Sequence, residues 1–448
     1  MRYKILSWLN DLWYLHLRLV CAVLFFNLAK IFWLVGVQNR AAKFCMASIR
    51  YSGGSKAIFL LKKITSTNAP LARGISTGVA IKEAAARSII IKWPTYQAGA
   101  IDKGVIVVTF TKTFSYFLRN IDLDEMSKHF IFVLEPSWSG YADPDILGFH
   151  GRLNNVIIEA SEVEDRVLLN CFPETFVPVS FGASDWVDSD IFIDTGAAKI
   201  YDSIYISNTN PIKRIKRYID AVKQIVAMGN SNYVGCLVCA AWGGAEALIL
   251  EMVNQYQLKD NIVLKFSLNR EQVIDALNKS KVNILLSYKE GSNRSLFEAM
   301  FCNVPVICLS ENVGVNKAYV NEFTGLLVPD KMLEGALIWI GENYRQFCAR
   351  NWAMENISPP STTRKLSQLL FARNLMVDNE TSKIFVKTNN PEVSYFQCQS
   401  LDHKKYSEDI LSLFELRPKQ TKLDYSAMVN DISKLFNAAR AQLEFKRQ

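Results

Sequence analysis

The chain has 448 residues, half of them hydrophobic and 21% charged, with 51 Lys and Arg against 43 Asp and Glu for a formal charge of +8. That length accommodates two or three domains, and so many charges exclude a protein built of many membrane spans. The basic surplus comes without a dense Lys/Arg block, a zinc pattern or an RNA-binding signature, which argues against nucleic acid and for anionic lipid or a phosphorylated ligand.

Residues 1–52 read as an apolar N-terminal segment. Trp13 to Val37 is aromatic and aliphatic but interrupted by His16, Arg18, Asn27 and Lys30. Its longest uncharged run, Leu19 to Ala29, falls short of the roughly 20 apolar residues of a spanning helix. Basic residues flank both ends (Arg2 and Lys4; Arg40, Lys43 and Arg50), and no small-residue cleavage site marks a signal peptide. The expectation is a helix lying in or partly entering the interface of a membrane, associating residues 13–37 with its cytoplasmic face, with a true span and a helix packed against the protein as the alternatives. Nine scattered cysteines fit a reducing compartment, and the Cys236-x-x-Cys239 pair inside a strand-like run reads as two buried thiols with no metal.

Residues 53–195 form the next domain. Ala57 to Leu61 and Ser88 to Lys92 read as strands, and Val79 to Arg87 as a helix. From Gly104 the pattern turns regular. Buried strands are expected at Gly104–Phe110, His129–Leu134, Asn155–Ser161 and Phe176–Gly182, with helices at Thr111–Arg119 and Glu162–Cys171. His129, just before its strand, reads as a surface residue. A second series fills 196–345: strands at Ser203–Ser207, Tyr233–Ala240 and Ile262–Phe266, and helices at Pro211–Ala227, Ala245–Tyr256 and Arg270–Lys279. Strands alternating with helices at this spacing imply mainly parallel, doubly wound sheets. Residues 346–448 continue as helices (Tyr344–Glu355, Thr363–Ala372) and an extension ending in an amphipathic stretch, Tyr425–Phe445. No G-x-G-x-x-G follows an early strand, which removes the dinucleotide-binding dehydrogenase reading.

The informative stretch is Ser287-Tyr-Lys-Glu-Gly-Ser-Asn-Arg-Ser-Leu-Phe-Glu-Ala-Met-Phe-Cys302. An apolar run, Val282–Ser287, precedes it. Gly291 breaks that run, Ser292 or Asn293 caps a helix, and Asn303 with Pro305 ends it before a strand at Val304–Leu309. Free N–H groups at such a helix start, with the positive end of its dipole, suit an anion. Glu290 and Glu298 flank that seat with carboxylates able to accept hydrogen bonds from a vicinal diol.

This unit resembles the E-x(7)-E motif of retaining GT-B glycosyltransferases: Glu290-Gly291 to Glu298-Ala299, then Pro305-Val306-Ile307, and later Thr324-Gly-Leu-Leu-Val-Pro329. The resemblance implies GT-B architecture, two Rossmann-like domains facing a cleft. It implies transfer of a sugar from a nucleotide sugar to a hydroxyl of a glycan or lipid-linked acceptor, with retention of configuration and no metal or other cofactor. Glu298 then holds the ribose hydroxyls and Glu290 the sugar, while the N–H groups of Gly291, Ser292, Asn293 and Arg294 receive the diphosphate. Lys213 matches the family's lysine by spacing, so that Glu290 and Lys213 are the catalytic candidates. The family's arginine falls at Asn208, with Arg214 or Lys216 as substitutes, and Lys317 stands where relatives carry Glu. These two departures motivate the rival reading, a catalytically silent scaffold that binds a partner or lipid. On the acceptor side the candidates are Thr111, Lys112, Glu135, Trp138 and Ser139, in loops after strands.

Overall fold

A computed structural model describes residues 2–416 apart from 53, 98–99, 241–245, 377–383, 390–391 and 399–400. The expected Tyr425–Phe445 helix and the start of the expected helix at Ala245 lie outside the described residues. The chain divides into two compact units, one of residues 1–18 with 187–358, the other of 19–186 with 359 onward. The linear division expected at 52, 195 and 345 is therefore replaced by an interleaved one. Residues 349–357 stay with the first unit because Ala349, Ala353 and Ile357 are buried in its core.

The unit that begins at Leu19 opens with three helices, the first of which starts one residue earlier. Helix α1 (Arg2–Leu12) belongs to the other unit and runs through a π-helical turn into α2 (Arg18–Leu34). Then come α3 (Gln38–Ser52) and α4 (Ser55–Ile64). The α4 segment was expected as a strand at Ala57–Leu61. Five apolar residues in a row carry no period of their own. It is helical because Ala57, Ile58, Leu60, Leu61 and Ile64 share one buried face while Phe59 points out. Five strands follow: β1 (Ser88–Lys92), β2 (Gly104–Thr109), β3 (Phe130–Glu135), β4 (Val156–Glu159) and β5 (Phe176–Val179). They lie side by side in chain order, β1 antiparallel to β2 and the rest parallel. Both faces are covered, which is why the strands read as unbroken apolar runs. Ile106 and Val108 enter one core cluster with the N-terminal helices, Val105 and Val107 the opposite one. His129 is buried at a helix end, 3.4 Å from Glu125, rather than on the surface as its position suggested.

The other unit holds six parallel strands: β6 (Ser203–Ser207), β7 (Gly235–Cys239), β8 (Ile262–Phe266), β9 (Asn283–Leu285), β10 (Val306–Leu309) and β11 (Gly325–Val328). Their spatial order is β8-β7-β6-β9-β10-β11, the doubly wound order in which the chain reverses direction across the sheet between β6 and β9. Cys236 and Cys239 sit three residues apart on β7, so they face opposite sides of the sheet and enter different core clusters. Burial pushes both thiols up to about 12. Gly325 opens β11 at a φ of +153°, where a Cβ would lie 1.9 Å from the Val306 carbonyl oxygen. Parallel α/β units of this kind are what the resemblance implied.

Candidate functional site

In a doubly wound sheet the crevice outside the strand C-termini opens where the strand order reverses. Here that point is the gap between β6 and β9. After β6 the chain forms an Asx turn in which Asn208 accepts from the Asn210 N–H at 3.0 Å, then a short 3₁₀ turn, Pro211–Lys213. Arg214 follows in the left-handed region (φ +56°), and α5 (Ile215–Ala227) begins. This break is why the single helix expected over Pro211–Ala227 starts later. It also aims Lys213 back at the turn after β9.

Lys213 and Glu290 meet there. The ammonium donates to both carboxylate oxygens, at 2.6 and 2.7 Å, and the two side chains are 13% and 5% exposed. Ser287 Oγ donates to Glu290 Oε1 at 2.5 Å. Asn312, fully inside, donates to the Ser287 carbonyl at 2.7 Å, and the Glu290 N–H donates to the Val313 carbonyl at 2.8 Å. Ser287 and Asn312 are therefore supports that the sequence did not single out. Ser287 ends the apolar run and Asn312 lies beyond the next strand, so only the fold joins them. Tyr205 adds another, its hydroxyl donating to the Lys213 carbonyl.

Helix α6 (Arg294–Phe301) starts immediately after this pair. Asn293 is the cap, its side chain accepting from the Leu296 N–H at 3.1 Å and from Ser295 Oγ at 2.9 Å. The N–H groups of Gly291, Asn293 and Arg294 find no acceptor among the described residues, which leaves them available at the positive end of the helix. At the other end Asn303 takes φ +56° and Val304 N–H closes back on the Ala299 carbonyl, ending the helix as the sequence indicated. Glu298 lies one and a half turns in. Its nearest cation is Arg294 Nε at 3.6 Å, an ion pair too long for a hydrogen bond, and Arg294 Nε is buried without a hydrogen-bond acceptor. Burial raises the Glu298 pKa, against the pull of Arg294 and Arg270. A carboxylate held this way has free acceptor capacity.

Arg214 is committed elsewhere. Its guanidinium donates to Asp330 Oδ2 at 2.5 Å and to the Leu286 carbonyl at 3.3 Å, and lies 4.2 Å over the Tyr288 ring. Arg217 joins Asp330 to Glu334 at the start of α7 (Leu333–Asn343). Burial alone would raise the Asp330 pKa, but the two guanidiniums hold it below the usual carboxylate range. Lys216 pairs with Asp220 on its own helix. The N-terminus also reaches this region. Tyr288 donates to Asp11 Oδ1 at 2.9 Å and stacks on Tyr14 with ring centroids 4.9 Å apart, while Asn10 donates to the Pro211 carbonyl at 3.3 Å. Nothing in the local sequence of residues 10–14 announces that role, because each contact spans about 200 residues or more.

The candidates of the other unit stand at the C-termini of β2 and β3. Thr111 Oγ1 accepts from the Ser137 N–H at 3.3 Å, Lys112 is exposed, Trp138 is 45% exposed and Ser139 is buried. Just before them Phe110 holds φ +69°, a rare state for a bulky residue, with Arg87 4.4 Å over its ring. Glu135 is buried and doubly engaged: Lys387 donates at 2.6 Å and Asn389 at 3.0 Å. Lys387 and Asn389 lie on β12 (Lys387–Asn389), in a stretch without a recognisable motif. Trp186 donates to neighbouring Glu159 at 2.9 Å, leaving Glu159 Oε2 unpartnered. Burial, then the Glu135 charge, raises the Glu159 pKa well above the ordinary value.

The geometry of Lys213, Glu290, Glu298 and the α6 start falls inside residues 194–349, which match the family model described as glycosyl transferases group 1. Those residues are a group 1 glycosyl transferase domain. A curated relative, N-acetyl-alpha-D-glucosaminyl L-malate synthase of Bacillus anthracis, is 26% identical over 190 residues, 38% of this chain and 48% of the relative. The chain thus spans about half the length of the curated relative it matches. Among solved structures, a mutant of S. aureus TarM in complex with fondaparinux, alpha-GlcNAc-glycerol and UDP has a TM-score of 0.44 at 17% identity, covering 62% of this chain and 63% of that one. Anabaena HepE in complex with UDP and glucose has a TM-score of 0.44 at 14% identity, covering 59% and 77%. Within the group 1 domain lie all the first-unit candidates: Asn208, Lys213, Arg214, Glu290 to Arg294, and Glu298.

Proposed function

We propose that the chain transfers a sugar from a nucleotide sugar to an acceptor hydroxyl with retention of configuration, in glycan, polysaccharide or glycolipid synthesis. The observation that carries this reading is the Lys213–Glu290 pair at the strand-order reversal, beside the acceptor-free N–H groups of α6. Glu298 receives the ribose hydroxyls with its unused acceptors. The leaving diphosphate meets the N–H groups of Gly291, Asn293 and Arg294, and Lys213 turns from Glu290 towards it. Glu290, released, faces the sugar. Such chemistry is accelerated mostly by stabilising the developing phosphate charge with groups fixed in advance, and these groups do so without a metal. The acceptor is taken as glycan or lipid-linked, at the cytoplasmic face of a membrane that the apolar segment 13–37 contacts.

A thermal-shift screen of uridine and guanosine diphosphate sugars tests this. A donor present at 100 times its Kd stabilises the protein by about 2.7 kcal/mol. The expected result is a raised midpoint for the wild type and none for Glu298→Ala. A midpoint unmoved by every nucleotide sugar would overturn the reading.

A further inference from the structure

Helix α2 is mostly apolar, its polar residues being Arg18, Asn27 and Lys30. Ala22 and Ala29 turn inward, and Ser48 of α3 donates to the Ala22 carbonyl at 2.8 Å. The opposite face carries Val20, Val23, Leu24, Ile31 and Leu34, all exposed, Leu34 to 79%, and Val35 just past the helix is exposed as well. An unpartnered apolar strip of this length is unusual on a protein surface and marks an interaction site. Among the described residues no helix is long and apolar enough to cross a membrane.

Beside that strip lies an apolar groove of about 1050 Å³ between α2 and α4 and reaching Val167 and Cys171. Phe26, Leu34, Phe59 and Val167 line its floor, and Phe59 is 62% exposed. Its rim is basic only: Lys30, Lys56, Lys62 and Lys63, with no carboxylate among the lining residues. None of the four makes an ion pair among the described residues. The Lys30 ammonium lies 4.5 Å from the Phe26 ring centroid and the Lys63 ammonium 4.7 Å from that of Phe59. These two ammoniums therefore rest on aromatic faces of the groove, positive charge held directly beside apolar surface, the arrangement that suits a boundary between hydrocarbon and anionic headgroups.

We infer that this groove seats the acyl chain of an anionic phospholipid, with the exposed face of α2 embedded in the same leaflet and the four lysines on the headgroup phosphates. The inference rests on the membrane-surface part of the proposed function and adds the site and the lipid class. A protein partner would leave four like charges around an apolar floor needing a matching acidic surface. An anionic leaflet supplies phosphate and hydrocarbon together. Ligand pockets enclose about 300–1,000 Å³, so the groove has room for such a chain.

The test is flotation of the full chain with vesicles of phosphatidylcholine alone, or mixed with phosphatidylglycerol, some carrying brominated acyl chains. The wild type is expected to float with the mixed vesicles only. Each lysine near an anionic surface is worth about fivefold in affinity, so Lys56→Ser, Lys62→Ser and Lys63→Ser combined should bind roughly 100-fold more weakly. These side chains are exposed, so the variant should keep the wild-type thermal midpoint. Trp33 also lines the groove, so bromine should quench tryptophan fluorescence in the wild type and much less in Trp33→Phe. Binding that survives the lysine changes, or quenching unchanged in Trp33→Phe, would overturn the groove while leaving the membrane reading intact. Absence of binding to any vesicle would overturn both, and leave the donor-site reading to its own screen.

Discussion

Replacing Lys213 by Met removes a cation from a site where water reaches little. Glu290 is 5% exposed, and the ammonium is within 2.7 Å of both its oxygens. Removing one partner of a buried pair costs about 3–5 kcal/mol, because the remaining charge is left without its counter-ion. Glu290 keeps the Ser287 hydroxyl, which places the expected cost near the lower end, about 3 kcal/mol. Glu290→Gln leaves Lys213, 13% exposed and able to turn to water, and should cost about 1–2 kcal/mol. If the two groups act mainly on each other, the double variant should cost about 2 kcal/mol less than the sum of the singles. Urea unfolding followed by tryptophan fluorescence gives the three numbers. A double variant within about 0.5 kcal/mol of the sum would show that the pair is not coupled, and the reasoning from its geometry would fall.

How much of this was legible beforehand depended on distance along the chain. The strand, turn and helix around Glu290 were readable because Gly291, Asn293 and Asn303 are local signals that the backbone obeys. The meeting of Lys213 with Glu290 was suggested only through the resemblance, since 77 residues separate them and the kink at Arg214 that aims Lys213 has no sequence signature. Asp11, Tyr14 and Lys387 were not legible at all. Their partners lie hundreds of residues away, and Lys387 looks like any surface lysine until Glu135 is placed opposite it. Helix α4 shows the converse failure: its apolar run is compatible with strand or helix, and packing against the neighbouring helices decided.

Further outcomes follow from single groups. The Glu298 pKa is raised by burial, so a donor diol that needs the carboxylate should bind less well as pH falls towards that raised value, before ordinary carboxylates protonate near about 4.3. Glu298→Gln should weaken binding and flatten this pH dependence, as calorimetric titrations at several pH values would show. Glu159 favours its protonated form in the fold. Stability linked to it is therefore full below the ordinary carboxylate pKa and lost as pH rises through the raised one, and Glu159→Gln should remove that loss within about 1 kcal/mol of wild type at low pH. Lys387→Met, by contrast, strands Glu135 and should cost about 3–5 kcal/mol in urea unfolding at neutral pH. Gly325→Ala places a methyl against the Val306 backbone and should lower the thermal midpoint of the group 1 domain sharply, since no side-chain rotation relieves a backbone clash.

The central claim is that the Lys213–Glu290–Glu298 site transfers sugar from a nucleotide donor with retention. Proton NMR of the anomeric signal, followed while the full chain consumes an α-linked nucleotide sugar that stabilises it, reads this most directly. With water as acceptor the first-formed free sugar should be the α anomer, and Lys213→Met should slow its release. A β anomer formed first would contradict retention. An intact donor after prolonged incubation, alongside unchanged thermal midpoints, would contradict transfer itself.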